Sequence, residues 1–183
     1  MIDAVAALGN PGLCATTVVL FALWLWLAGL PRMVFGFTLG FALVGLATLA
    51  LKWLVATPGA TLWPDGALVS QYFPSGHTAL ATAIYGSLAM ALAYAGGGRW
   101  RYTPVFALVL AGAVAVARVA ARAHPAGDVL AGMTIGMIGP ASTYLGVIRE
   151  VGPLPAAGRI LGVFLTTLLL GWLLPAPIGD LLH

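Results

Sequence analysis

The sequence predicts an all-α fold, a polytopic membrane bundle of about six transmembrane helices. Three observations carry that expectation. The 183 residues are 61% hydrophobic and only 7% charged. Their mean hydropathy is +1.03, a value that suits a chain dissolved in lipid and almost no soluble fold. The apolar stretches also recur at lengths that cross a bilayer as helices, with Pro, Gly and Arg punctuating them.

The elements follow in order. Leu13–Leu30 is the first uncharged apolar run, closed by Pro31 and Arg32. Met33–Val55 is the second span and carries Lys52 near its end. Thr57–Phe73 is rich in turn formers, with Trp63 suited to the membrane interface. Pro74 and Ser75 start a third span that runs to about Ala95, with Ser75 as a good N-cap. After the polar turn G-G-G-R-W-R-Y-T come Pro104–Ala123 and Pro125–Ile148. A short loop, Arg149–Arg159, leads to a sixth and shorter span, Ile160–Leu174. We read residues 1–183 as one domain without internal repeats. Gly36, Gly40, Gly45, Gly132 and Gly136 lie inside spans, where small residues let helices approach closely.

Composition also excludes. The net charge of +3 is scattered, with no basic run of the kind that binds nucleic acid. Cys14 is the single cysteine, so no intrachain disulfide can form. The opening residues lack the basic n-region of a cleavable signal peptide, so insertion is expected from the spans themselves. Arg32, Arg99, Arg101, Arg149 and Arg159 fall on one side of the predicted topology. The positive-inside rule puts that side in the cytoplasm, and both termini and the polar site outside. The expected location is a bacterial cytoplasmic membrane with its site facing outward.

Three polar clusters share that outer face: Lys52, then F-P-S-G-H at 73–77, then R-V-A-A-R-A-H-P-A-G-D at 118–128. Ionisable groups beside membrane spans are costly and default to a functional reading. Arg118 and Arg122 are four apart and would share one helix face. Pro125 should end the helix near Ala123, making His124 the N-cap of the next helix. Asp128 then lies one turn on, able to fix the imidazole tautomer of His124. In P-S-G-H-T a helix starts with open backbone N–H groups, an arrangement that binds phosphate, and Gly76 permits close approach. Lys and Arg supply charge and forked donors for phosphoryl oxygens. Two histidines allow one to attack phosphorus and the other to protonate the leaving oxygen. The set fits phosphoryl transfer through a phosphohistidine, with positive charge in place of a metal. A facial triad of His77, His124 and Asp128 is a chemical alternative, but the arginines would repel its cation.

The motifs P-S-G-H at 74–77 and R-x5-H-x3-D at 118–128, followed by V-L-A-G, resemble the type 2 phosphatidic acid phosphatase superfamily, its membrane lipid phosphatase branch included. The resemblance covers roughly Lys52–Gly132. It implies that His124 is the nucleophile, Asp128 its orienting carboxylate and His77 the general acid. It also implies that Lys52, Ser75, Gly76 and Arg118 hold the phosphate. No cofactor or metal is implied, and the partner is a lipid phosphate or pyrophosphate in the bilayer. The chain departs from the family pattern K-x6-R-P, P-S-G-H, S-R-x5-H-x3-D at two places. Gly59 and Ala60 stand where Arg-Pro is expected, and Ala117 where Ser is expected. Arg122 is therefore expected to supply the charge that Gly59 lacks. The expected activity is a lipid phosphate or pyrophosphate phosphatase. Transfer to an acceptor lipid and non-catalytic binding of a lipid phosphate are the alternatives.

Overall fold

The computed structural model describes residues 2–55, 73–150 and 153–173. Regular structure among these residues is entirely helical. A short α1 (Ile2–Ala7) precedes α2 (Pro11–Leu27), α3 (Pro31–Val55) and α4 (Gly76–Gly96). A 3-10 turn at Gly98–Tyr102 leads into α5 (Thr103–Ala120), then α6 (Ala126–Gly136), α7 (Ile138–Ile148) and α8 (Ala157–Leu173). Among the described residues four spans are long and apolar enough to cross a membrane: α3, α4, the 3-10 turn with α5, and α6 with α7. The apolar helices α2 and α8 are shorter, at 17 residues each.

The six expected spans correspond to these elements with shifted ends. Asn10 moves the start of α2 forward, because its side-chain oxygen accepts from the N–H groups of Gly12 and Leu13. The fifth span breaks at Met137. Pro140 has no N–H to offer the carbonyl of Gly136, so the ladder is interrupted there. The Thr57–Phe73 loop, with Trp63, Gly59, Ala60 and Asp65, lies outside the described residues apart from Phe73.

The bundle is organised around α4. Its membrane window is 61% buried, against 28% for α3, and it touches every other long helix. Its composition explains this, since Ala, Gly, Ser and Thr leave room for neighbouring backbones. A Cβ at Gly132 would lie 2.5 Å from the Ser75 carbonyl oxygen, and one at Gly136 2.6 Å from that of Ala79. Gly36 and Gly40 play the same part between α3 and α7. Gly45 does not: nothing lies within 4 Å of its Cβ position. On the other side, Phe21 meets Phe37 and Phe164 edge-on and stacks on Trp24, which joins α2, α3 and α8.

Candidate active site

The site lies at one end of the bundle, where α3 ends, α4 and α6 begin and α5 stops. The stop of α5 is local chemistry. Ala121 is the cap, and Arg122 adopts a left-handed φ of 53°. Its N–H reaches the Val119 carbonyl (2.9 Å), and that of Ala123 reaches the Arg118 carbonyl (3.0 Å). This is the Schellman pattern, with an arginine at the position glycine favours. Two expectations are corrected by it. The helix ends at Ala120 instead of Ala123, and Arg122 shares no helix face with Arg118. Arg122 is exposed on the turn, because the left-handed residue redirects the chain.

That turn delivers His124 to the cluster. Its backbone N–H also bonds to the Arg118 carbonyl, at 3.3 Å. Pro125, and not His124, is the N-cap of α6. His124 and Asp128 are 8% and 6% exposed, and His124 Nδ1 lies 3.4 Å from Asp128 Oδ2. The carboxylate thereby selects the Nδ1–H tautomer and leaves Nε2 as the imidazole's lone-pair nitrogen. Burial pushes His124 below the usual histidine range. The Asp128 hydrogen bond pulls the other way, and the charges of Arg118 and Lys52 reinforce the lowering. His124 is therefore neutral at neutral pH.

The start of α4 forms the opposing wall. Ser75 is fully buried and is the N-cap residue of α4, as expected, but its side chain makes no capping hydrogen bond. Its hydroxyl pairs with Thr78 Oγ1 at 3.1 Å, and its backbone N–H donates to the Asp128 carbonyl at 3.0 Å. The first-turn N–H groups beyond it are left for an acceptor from outside the helix, the anion-binding arrangement of a helix N-terminus. His77 sits in this turn, half-buried, within electrostatic reach of Arg118, His124 and Lys52. Lys52, half-buried on α3, feels the charge of Asp128. Arg118 turns a buried Nε toward no hydrogen-bond acceptor among the described residues. Such a donor is costly to leave unmade in a buried setting. The structure thus brings Lys52, Ser75, Gly76, His77, Arg118, His124 and Asp128 together. Ala117, at the position where serine was expected, is buried on α5.

Two contributors were not anticipated. Thr48 lies one turn before Lys52 on α3, is 6% exposed, and has a hydroxyl without a partner among the described residues. Its methyl is 3.9 Å from the Cβ position of Gly76. The available signal was its four-residue spacing from Lys52 in an otherwise aliphatic run. Gly9 is the second. A Cβ there would lie 2.4 Å from the His77 carbonyl oxygen, so the turn after α1 braces the first turn of α4. The neighbouring Leu8 carbonyl accepts from the Tyr85 hydroxyl at 2.9 Å. No sequence pattern marked it.

An imidazole paired with a carboxylate, a second histidine and cationic donors around a helix N-terminus are groups that can serve phosphoryl transfer. The sequence model of the PAP2 superfamily matches residues 33–149. The chain belongs to the PAP2 superfamily. The match spans α3 to α7 and so contains every side chain of the cluster. Neither the comparison with curated proteins nor that with solved structures gives a match. PAP2 membership supports a phosphatase-type function, and the apolar spans make this member an integral membrane protein.

Proposed function

We propose that this PAP2 protein is a lipid phosphate or pyrophosphate phosphatase that works through a phosphohistidine on His124. The observation that carries the reading is the contact of His124 Nδ1 with Asp128 Oδ2, which directs the lone pair of Nε2 away from the carboxylate. In the first step Nε2 attacks phosphorus and the bond to the leaving oxygen breaks. His77 gives that oxygen its proton, and Asp128 stabilises the imidazolium. In the second step His77 takes a proton from water, the hydroxide attacks phosphorus, and the N–P bond breaks to free inorganic phosphate. Lys52, Arg118 and the first-turn N–H groups of α4 neutralise the equatorial oxygens.

The substrate class follows from the surroundings: a headgroup phosphate at the membrane surface, with isoprenoid or glycerolipid chains in the bilayer. An isoprenoid pyrophosphate such as undecaprenyl pyrophosphate belongs to that class. We place the site on the outer face of a cytoplasmic membrane. Arg32 Nη1 bonds to the Arg149 carbonyl at 2.8 Å, which supports putting these two arginines together at the opposite end. Phosphate release from a panel of lipid phosphates by the purified protein tests the activity. Release from none of them would overturn it, and a new phospholipid formed only with an acceptor lipid would mark a phosphotransferase.

A further inference from the structure

The end of the bundle remote from His124 carries a second feature that phosphatase chemistry does not use. Between α3 and α7 runs a groove of about 400 Å³. Gly36 and Gly146 set its depth, since Cβ atoms there would lie 2.6 Å from the Ser142 carbonyl oxygen and 2.5 Å from that of Arg32. The two backbones are in contact, and the larger Phe35, Leu39 and Leu145 stand up as exposed apolar walls. Arg32 and Arg149 line the same groove at its polar end. Neither guanidinium forms an ion pair with a described carboxylate. Glu150 is close by, but its Oε2 accepts from the N–H groups of Arg32 and Met33, both at 3.1 Å. Its charge is thus directed at the start of α3, where a helix favours an anion.

From this geometry we infer a binding site for an acidic membrane phospholipid in the leaflet at this end. The headgroup phosphate lies between the guanidiniums of Arg32 and Arg149, and one acyl chain lies along the groove. Charge complementarity selects the headgroup. The apolar walls select a lipid over a free anion, because a soluble phosphate gains nothing from Phe35, Leu39 or Leu145. Twenty residues of helix separate Arg32 from Lys52, about 30 Å, so this site is distinct from the phosphate site and does not depend on that reading.

The test is thermal unfolding of the purified full-length protein in neutral detergent, with phosphatidylglycerol, phosphatidylcholine or inorganic phosphate added. Phosphatidylglycerol alone should raise the midpoint, by about 3 °C. The rise should vanish in Arg32→Gln/Arg149→Gln and persist in Arg159→Gln, which loses one arginine charge outside the groove. Equal rises with both lipids, a rise with inorganic phosphate, or a rise that survives in the double variant would overturn the site. Should the double variant not fold, Arg149→Gln alone keeps the carbonyl that Arg32 uses. Native mass spectrometry then reads the phosphatidylglycerol retained, and retention equal to wild type overturns the site.

Discussion

The backbone N–H of Ser75 donates to the backbone carbonyl of Asp128 at 3.0 Å. This bond ties the start of α4 to the first turn of α6, so the anion-binding turn and the carboxylate behind His124 move as one unit. Because the contact is main chain to main chain, Asp128→Asn leaves it in place and removes only the carboxylate. We expect the variant to fold with an unchanged helical signal and to lose about 10²–10⁴ in turnover, as when an orienting carboxylate is lost. A loss below tenfold would show that Asp128 does not orient His124.

The two histidines should separate by leaving group. His124→Ala is expected to abolish turnover for every substrate. His77→Ala should retain activity only where the leaving group departs without a proton, as nitrophenolate does. Rapid-quench trapping of a phosphoenzyme checks the assignment, since label trapped in His124→Ala would refute it.

The buried, partly cationic setting of His124 favours its neutral form. Free histidine titrates near 6.5, so the acid limb of kcat/KM should lie below that value. Stability follows the same group. As pH falls through about 6.5 the unfolded chain takes up a proton that the folded site resists, so the unfolded state binds more protons and stability drops. Lys52 and Arg118 push His124 down and Asp128 pulls it up, so Asp128→Asn should move the acid limb to still lower pH. Its residual activity, measured from pH 4 to 8, checks the direction; an upward move contradicts it.

Gly9→Ala tests the brace behind His77. The added methyl meets a backbone carbonyl at 2.4 Å, and backbone cannot swing aside as a flexible side chain does. We expect a cost of about 1–3 kcal/mol, with turnover falling because the first turn of α4 shifts. Chemical denaturation and kinetics on one preparation read both effects, and an unchanged midpoint would remove Gly9 from the support of the site.

Arg122→Gly relieves a left-handed arginine. The exchange should stabilise the protein by about 1 kcal/mol, the strain of a side chain at that φ less the extra freedom glycine has when unfolded. Turnover distinguishes the two views of this residue. Wild-type turnover in a more stable protein means the charge is not needed, whereas a tenfold loss would mean that the guanidinium reaches the substrate.

The sequence by itself determined the helical membrane class and the composition of the polar cluster. Hydropathy and span length act over long windows, and P-S-G-H with R-x5-H-x3-D placed the chemistry within a few residues. Tertiary structure decided what spacing could not. The same-face argument for Arg118 and Arg122 presumed a continuing helix, but the turn at Ala121–Ala123 satisfies the last carbonyls of α5 by sending Arg122 left-handed. Gly45 looked like Gly36 and Gly40 in sequence, yet its Cβ position meets nothing, because only one side of α3 faces α7. Gly9 and Thr48 joined the site through non-local contacts with α4, the first with the His77 backbone and the second from the Thr48 methyl to Gly76. A local pattern fixes which helix forms and which residues its turns expose, but which neighbour each face meets depends on how all the helices pack around α4.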